Sequence, residues 1–442
     1  MIYLFKNIFF IAFRQIFTAL IGLLLVVLIA RFYGPEGNGL FTVVLLLPST
    51  LIHILNLGIP SSNVYFIGKN PNLTKEIFIL NFWITLLLCI LGFVIGAILI
   101  IFFHNFIFPS IDYYLLWIAL FSFPLGLIQN TINSLIHALE KFRLYNTLLI
   151  FTPISLTIAI LILILLKETE IKYLVGSQII SHIVTILLSL FCIRKFDFSN
   201  KKTLQFKDLY KQLFKFGIKS HLSNLVTFLN YKIDIFLTNL LLGPVAVGIY
   251  VIAVSLSERL WIFSHSASTV IYPRLVRMSG DESERKLLTP LISRWVFFIT
   301  LIFACISFFV INFLVQFFFG DEYLEASLIY LFLLPGVLFL SCSRILSNDI
   351  ASRGKPEYNL YISSVVLFVG IIGNLIFIPI FELEGAACAT SISYFFHLLL
   401  TVKTYNKFSN NTFFDSLFIK YSDLIDIKRL FLEQSLLFTN KA

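Results

Sequence analysis

The chain has 442 residues, of which 58% are hydrophobic and 13% are charged, and its mean hydropathy is +0.92. These proportions exclude an ordinary soluble domain and are typical of polytopic helical membrane proteins. The formal net charge of +9 does not indicate nucleic acid, because the basic residues fall in loops on one side of the predicted spans. The five cysteines lie in apolar runs without a CxxC pair, which predicts packing residues and no metal site.

Twelve apolar segments are long enough to cross a hydrocarbon core of about 30 Å as helices. The first is longer than a signal-peptide core and is followed by no small-residue cleavage site, so we expect a membrane helix there. Pro48, Gly58 and Pro60 interrupt the second segment, as membrane helices tolerate where neighbours or water satisfy the freed carbonyls. The predicted spans are 8–32, 39–67, 77–103, 112–138, 145–166, 173–193, 216–242, 246–273, 289–318, 326–350, 358–381 and 385–407.

The connections between these spans carry a strong charge bias. One alternate set, together with both chain ends, holds 24 of the 33 basic residues. Six more lie inside spans, and the opposite connections hold only three, beside nine acidic residues. Because basic residues collect on the cytoplasmic side of membrane proteins, the bias predicts that both termini are cytoplasmic.

The two halves of the chain share short motifs at equivalent helix ends. Residues 34–41 align with 243–250, and residues 138–146 align with 351–359. Such a duplication predicts an all-α membrane protein of about 12 transmembrane helices in two pseudo-symmetric six-helix bundles. The predicted domains are an N-terminal six-helix bundle at 1–200, a basic cytoplasmic linker at 201–215, a C-terminal six-helix bundle at 216–407 and a cytoplasmic amphipathic tail at 408–442.

The tail is too polar to span a membrane. Its apolar residues recur at helical spacing among Asp, Lys and Arg, so it either lies along the inner leaflet or packs against the protein. Arg294, near the predicted cytoplasmic end of the ninth span, is expected to extend its charge to the membrane surface.

Residues 216–244 form the most unusual span, because charged side chains interrupt it. Lys219, Lys232 and Asp234 each cost about 2.5–3.5 kcal/mol at the centre of a membrane helix. Lys232 and Asp234 lie about 200° apart around a helix, and a polar stripe favours Asp234 for a wet cavity. Spacings of three and four residues place that stripe on one helical face: Asn224, Thr227, Tyr231, Asp234 and Thr238.

Three motifs together resemble a known family. They are residues 30–41 (ARFYGPEGNGLF), residues 56–59 (NLGI) leading into Asn63, and Asp234 followed by residues 243–250 (GPVAVGIY). Over roughly residues 1–407 the chain resembles the polysaccharide-export (Wzx-type) flippases of the multidrug/oligosaccharidyl-lipid/polysaccharide (MOP) superfamily. The resemblance implies an alternating-access carrier of the inner membrane that moves undecaprenyl-pyrophosphate-linked oligosaccharides to the periplasmic leaflet. Lipid II flippases usually have two further C-terminal helices, so the resemblance argues against that member.

A pyrophosphate-linked substrate requires cations inside the membrane, and arginine is suited to bidentate contact with phosphate. The alternative to cavity lining differs between the two arginines. Arg14 can instead extend its charge to the cytoplasmic surface, and Arg259 can instead form a structural pair with Glu258 or Asp234. The candidate residues of a cationic cavity are Arg14, Arg259, Lys232 and Arg344.

Polar faces on the second and fourth spans suit contact with sugar hydroxyls, although Asn and Gln also join helices within lipid. No nucleotide-hydrolysis or hydrolase motif occurs, so we expect no enzyme, cofactor or metal. The energy source is then the substrate gradient, the membrane potential or a coupled ion, with Asp234 and Glu258 as ion-coupling candidates. The candidates for sugar contact are His53, Asn56, Asn130, Asn133 and Asn224.

Three classes of function remain to be compared. A cation-coupled multidrug efflux antiporter of the same superfamily is the alternative, and it is expected to have an acid-dominated cavity. A membrane glycosyltransferase or polymerase is expected to carry a large periplasmic loop, whereas every predicted outer connection is short. The sequence favours a flippase for O-antigen (lipopolysaccharide), capsule or exopolysaccharide units. Its expected partners are the lipid-linked oligosaccharide, membrane lipids and polysaccharide polymerase machinery, and no nucleic acid.

Overall fold

The structure is a computed structural model that describes residues 2–193, 206–278, 282–418, 420 and 423, without the side chains of 2–16, 206–210, 219, 220 and 413. Every regular element in this part of the chain is helical. Three short 3-10 turns, at Pro71–Leu73, Arg259–Trp261 and Asp321–Tyr323, separate longer helices. The α-helices are α1 (Ile2–Leu55), α2 (Ile59–Lys69), α3 (Thr74–Ile107), α4 (Tyr113–Leu120), α5 (Ser122–Ala138), α6 (Phe142–Leu165), α7 (Ile171–Ile193), α8 (Phe206–Asn230), α9 (Ile233–Leu242), α10 (Pro244–Glu258), α11 (Ile262–Arg277), α12 (Glu282–Phe319), α13 (Glu325–Ser352), α14 (Pro356–Ser409) and α15 (Phe413–Leu417).

Most of these helices are long and apolar enough to cross a membrane. Among the described residues nine pass that test singly, and the pair α8 and α9 brings the number to ten. Two of the nine, α1 and α14, contain one non-helical residue each, Gly34 and Glu382; α14 covers two predicted spans, and α1 covers the first predicted span and most of the second. The protein is therefore a multi-pass membrane protein, and its helices are consistent with the twelve predicted spans.

The predicted spans differ from the helices mainly at their ends. Residues 33–38 were expected to be a loop, yet only Gly34 leaves helical geometry there, with φ 67° and ψ −176°. Gly243 has nearly the same conformation, φ 84° and ψ −178°, at the equivalent point of the other half. Positive φ at both positions requires glycine, because a Cβ atom would clash with the backbone. The repeated Gly-Pro motif is thus one backbone turn used twice.

The chain forms two compact units, and both draw on α12, α13 and α14. The domain boundaries predicted around residues 201–215 stay a prediction. Unit 1 consists of Met1–Ser255, Asn312–Ile329 and Gly370–Ala386, and unit 2 consists of Leu256–Ile311, Tyr330–Val369 and Ala387–Ala442.

Within unit 1, Arg31 joins the first predicted span to the end of α12. Its Nε donates to the carbonyl of Phe318 at 2.9 Å, and its Nη2 donates to the carbonyl of Phe317. The hydroxyl of the buried Tyr323 donates to the carbonyl of Ala30 at 3.3 Å. A cation at the last carbonyls of a helix stabilises the negative end of its dipole.

Within unit 2, a buried group of charges connects the first turns of α12 to the end of α13. Arg285 lies 3.4 Å from Asp349, and the two side chains are 1% and 0% exposed. Thr289 donates to the same carboxylate at 2.8 Å, and Arg353 pairs with both Asp349 and Glu282. A carboxylate shared by two guanidinium groups fixes these helices to one another in a region that excludes water.

Candidate functional site

The second span of the chain is broken where α1 ends and α2 begins. Leu57 and Gly58 both have positive φ, 46° and 74°. The side chain of Asn56 accepts a hydrogen bond from the amide of Gly58 at 3.0 Å, which satisfies one donor that the break leaves without a helical partner. Broken membrane helices occur where backbone polar groups line a cavity or contact protein.

Helix α8 packs directly on this break. A Cβ atom on Gly58 would lie 2.0 Å from the carbonyl oxygen of Gly217, so the two backbones are in contact. Beside them the hydroxyl of Ser62 donates to the carbonyl of Leu213 at 2.8 Å. Glycine at this position therefore sets the distance between α8 and the broken second span.

This packing brings residues of α8 to two predicted sugar-contact residues. The ring of His53 stacks on Phe228 with centroids 3.9 Å apart. Nδ1 of His221 lies 3.2 Å from Oδ1 of Asn56. His221 is buried, whereas the rings of His53 and Phe228 are half-buried. Unit 1 thus contains a small cluster of two imidazoles, an amide and an aromatic ring beside a helix break.

The remaining sugar-contact candidates lie in different surroundings. Asn133 is buried and its Oδ1 has no hydrogen-bond partner within the described part of the chain. Asn130 is half-buried, and Asn224 is exposed on α8. These three residues stay predictions, whereas His53 and Asn56 are brought together with α8 at the helix break.

The predicted polar stripe along residues 224–238 is not one continuous face. The helix breaks between α8 and α9, and the two pieces are bent by 41°. Asn224 and Thr227 lie exposed on α8, whereas Asp234 and Thr238 are buried on α9. The expectation of a single face was wrong because helical spacing relates residues only within one unbroken helix.

Asp234 is held inside unit 1. The hydroxyl of Tyr250 donates to its Oδ2 at 2.9 Å, and the amide of Ile235 donates to its Oδ1 at 2.8 Å. The side chain is 5% exposed, so the expectation that the stripe turns Asp234 toward a wet cavity does not hold. Lys232 precedes α9, is half-buried and attracts the carboxylate electrostatically.

In unit 2 a second helix break follows Glu258, the last residue of α10. The 3-10 turn Arg259–Trp261 separates α10 from α11. Arg259 is half-buried, its Nε has no hydrogen-bond partner within the described residues, and it interacts electrostatically with Glu258. A 3-10 stretch inside a long helix often marks a functional position.

This turn places Trp261 beneath Arg344. The guanidinium carbon of Arg344 lies 5.1 Å from the centroid of the Trp261 ring, a cation–π contact, and its Nη1 donates to Ser264 at 3.1 Å. The indole of Trp261 is itself fixed, because its Nε1 donates to the carbonyl of Val337 at 3.4 Å and its ring packs edge-on against Tyr394. Arg344 is therefore a half-buried cation with a restricted orientation.

Two histidines adjoin this cation. His265, exposed on α11, and His397, half-buried on α14, both interact electrostatically with Arg344. Nδ1 of His397 lies 3.1 Å from the hydroxyl of Ser343. We call Arg344, Trp261, Ser264, His265 and His397 the Arg344 cluster. Its N–H groups and hydroxyl suit an anion with hydroxyl groups nearby.

The four candidates for a cationic cavity lie in different surroundings. Arg344 belongs to the cluster just described, Arg259 lies on the neighbouring 3-10 turn, and Lys232 lies beside Asp234 in unit 1. The side chain of Arg14 lies outside the described residues. Within the described residues no group of three His, Cys, Asp or Glu side chains could hold a metal ion.

The fold is that of transporters of the MOP superfamily. The chain superposes on the lipid II flippase MurJ in an inward closed conformation with a TM-score of 0.70 and 18% identity, over 97% of this chain and 98% of MurJ. It superposes on an inward-facing multidrug resistance MATE family transporter of that superfamily with a TM-score of 0.68 and 14% identity, over 89% and 94% of the two chains. The predicted fold class is confirmed. Because the match covers 98% of that MurJ chain, it gives no support to the expectation that lipid II flippases differ from this chain by two further C-terminal helices.

Sequence relationships define the family. Residues 4–279 match the polysaccharide biosynthesis protein family, and the chain belongs to that family. It is 30% identical over 193 residues to the capsular polysaccharide biosynthesis protein CapF of Staphylococcus aureus, a match that covers 43% of this chain and 48% of CapF. The match thus spans about half the length of that relative. The predicted relationship to polysaccharide-export proteins of the MOP superfamily is confirmed at the level of the family and the fold, whereas the role as a flippase and the expectation of no enzymatic activity stay predictions.

Proposed function

We propose that this chain is an alternating-access flippase for undecaprenyl-pyrophosphate-linked oligosaccharide repeat units of the O-antigen, capsule or exopolysaccharide type. It moves them from the cytoplasmic to the periplasmic leaflet of the inner membrane. The observation that carries this proposal is Arg344, a half-buried guanidinium that lies over the Trp261 ring and donates to Ser264, with His265 and His397 close enough to interact with it electrostatically. Charged groups within membrane spans are rare and mark substrate pathways.

The chemistry of the cluster suits a lipid-linked pyrophosphate. A guanidinium binds two phosphate oxygens through parallel hydrogen bonds, and stacking on Trp261 restricts its orientation before the substrate arrives. The neighbouring imidazoles and hydroxyl donate and accept hydrogen bonds, as sugar hydroxyls require. Arg259, whose Nε has no hydrogen-bond partner among the residues that the structure describes, lies two residues from Trp261 and supplies a second cation close in sequence.

The family relationship supports the same substrate class. The family is named for polysaccharide biosynthesis, and CapF is named for capsular polysaccharide biosynthesis. The charge bias of the connections supports cytoplasmic termini, with bundles at 1–200 and 216–407, a linker at 201–215 and a tail at 408–442. Polymerase machinery would receive the flipped units on the periplasmic side.

The proposal is tested by locating lipid-linked glycan in a strain that lacks the gene. Undecaprenyl-linked repeat units would accumulate on the cytoplasmic face and stay inaccessible to a membrane-impermeant glycan-oxidising reagent. The wild-type gene and Arg274→Ala, which alters an exposed ion pair with Glu284, would restore accessibility. Arg344→Ala, present at equal membrane level, would not restore it. No accumulation in the deletion strain would contradict the proposal.

A cation-coupled multidrug antiporter is the second candidate, and one observation favours it. Asp234 is a carboxylate buried in a membrane-spanning unit with a tyrosine hydroxyl as a partner, and such acids serve proton or sodium coupling in transporters. Under the flippase proposal Asp234 or Glu258 couples an ion to the flip. New sensitivity of the deletion strain to cationic dyes, without glycan accumulation, would favour the antiporter.

A further inference from the structure

The first part of the tail is built into unit 2. We call residues 411–418 together with Lys420 and Asp423 the tail strap. Leu417 is buried in one hydrophobic cluster with residues of α13 and α14, among them Leu346 and Tyr405. The side-chain amide of Asn411 donates to the carbonyl of Lys286 at 3.1 Å. Of the two alternatives for this region, the described residues pack against the protein.

The strap meets a buried arginine of α12. Nε and Nη2 of Arg294 donate to the two carboxylate oxygens of Asp423 at 2.6 and 2.5 Å, and Nη1 donates to the carbonyl of Asp415. Arg294 and Asp423 are 6% and 1% exposed. The expectation that Arg294 extends to the membrane surface was wrong, because a residue far along the chain supplies its counter-charge within the protein.

The contact between Arg294 and Asp423 has the geometry of an anion site in which the bound anion is a carboxylate of the same chain. The guanidinium edge that Arg294 turns to Asp423 presents the parallel N–H pair that carboxylate and phosphate bind in the same way. A buried ion pair contributes little net stability, whereas a buried guanidinium without any anion is strongly destabilising. Arg294 therefore requires an anion at this place, but exchange of one anion for another changes the free energy of folding little.

A buried hydroxyl group weakens the docking of the tail strap on unit 2. Ser416 is fully buried, and its hydroxyl has no hydrogen-bond partner within the described residues. A buried polar atom without a partner opposes docking. By contrast, the start of α15 is capped: Thr412 and Asp415 form a capping box, and hydrogen bonds from Lys420 and Thr412 hold the pKa of the Asp415 carboxyl well below its usual range.

We propose that Arg294 is a binding site for phosphate groups, either of a lipid headgroup or of a free phosphate compound, and that Asp423 of the tail strap occupies it as an exchangeable carboxylate. Binding of a phosphate at Arg294 releases the strap from unit 2. The proposal holds for either candidate function, because it depends only on the contacts of Arg294.

The test uses the full chain in nanodiscs of neutral lipid, with inorganic pyrophosphate as the probe and the apparent Tm as the readout. Asp423→Ala empties the site, so pyrophosphate should raise its Tm at a concentration at least about tenfold below that needed for the wild type, in which Asp423 competes. Arg294→Met combined with Asp423→Ala should show no rise. A rise that persists in the double variant, or none in Asp423→Ala with either phosphate source below, would overturn the proposal.

Two further experiments identify the source of the phosphate and cover the case in which Asp423→Ala does not fold. Nanodiscs containing phosphatidic acid should stabilise Asp423→Ala without added pyrophosphate if a lipid headgroup is the occupant, whereas stabilisation by pyrophosphate alone would assign a free phosphate compound.

Where Asp423→Ala fails to fold, a Ser416→Cys chain is cross-linked to the native Cys342, whose Sγ lies 3.7 Å from the carbonyl oxygen of Ser416. Phosphate should reduce this cross-link, with Cys342→Ala as the background control, and an unchanged cross-link contradicts strap release.

Discussion

Gly39 and Gly248 pack reciprocally against each other's motif in unit 1. A Cβ atom on Gly39 would lie 1.7 Å from the carbonyl oxygen of Pro244, and one on Gly248 would lie 1.9 Å from that of Pro35. Asn38 adds a hydrogen bond of 2.9 Å from its Nδ2 to the carbonyl of Gly248. The repeated motif found in the sequence is therefore also a packing unit, in which each copy accommodates the backbone of the other.

This reciprocal contact predicts that two substitutions far apart in the sequence lower the stability of the protein equally. Gly39→Ala and Gly248→Ala each insert a methyl group where a backbone oxygen lies, so the two segments must separate, at a cost of about 1–3 kcal/mol in the free energy of unfolding. Because both changes disturb one contact, the double variant should cost less than the sum of the single variants. Denaturant unfolding of the protein in detergent measures these values.

The matched control for this experiment is Gly176→Ala. Nothing lies within 4 Å of a Cβ atom at that helical glycine, so the change should leave stability unchanged or raise it slightly. A Gly39→Ala protein as stable as the Gly176→Ala protein would contradict the close packing.

A second prediction concerns the buried charges of unit 2. Asp349→Ala removes the shared acid from Arg285 and Arg353, whose side chains are 1% and 9% exposed. An uncompensated buried charge destabilises a protein by about 3–5 kcal/mol, so this variant should fold poorly or unfold at much lower denaturant concentration. Glu284→Ala breaks an exposed ion pair with Arg274 and should cost about 0–1 kcal/mol. Equal stability of the two variants would show that the buried group does not hold α12 to α13.

A third prediction separates charge from geometry at the Arg344 cluster. Arg344→Lys keeps the charge but loses the planar fork and the stacking on Trp261, so glycan transport should fall about 10–100-fold, the equivalent of about 1.5–3 kcal/mol for a charge-assisted hydrogen bond. Trp261→Phe keeps a ring under the cation and should retain most of the transport. Transport is measured as surface glycan at matched protein levels, and an Arg344→Lys protein with full transport would contradict the role of the fork.

Much of the fold was accessible from the sequence because its signals are local. Apolar length predicted the spans, and the two Gly-Pro motifs marked equivalent helix ends, where Gly34 and Gly243 have nearly the same non-helical conformation. Charged residues inside spans are conspicuous, so Arg344 was found. The turn at Arg259–Trp261 was not, because the spacing of apolar residues continues through it.

The partners of these residues were not accessible, since they lie on helices distant in the chain. Trp261 and His397 look like ordinary apolar-span residues until α11, α13 and α14 are assembled, and Phe228 gains its role only by stacking on His53. A tryptophan two residues after the charged pair Glu258 and Arg259 was the one available signal for the cluster. Arg294 was misinterpreted for the same reason, because Asp423 lies 129 residues away.

The last prediction concerns the break in the second span. Asn56→Ala removes the acceptor for the amide of Gly58 and for His221, leaving a buried donor unpaired, which costs about 1–3 kcal/mol. Asn56→Asp retains the acceptor oxygen and should preserve most of that stability. Asn224→Ala, on the exposed face of α8, serves as the control and should change the free energy of unfolding by less than about 0.5 kcal/mol. If Asn56→Ala and Asn56→Asp are equally unstable, the side-chain acceptor is not what holds the broken helix, and the backbone contact of Gly58 with Gly217 would have to do so alone.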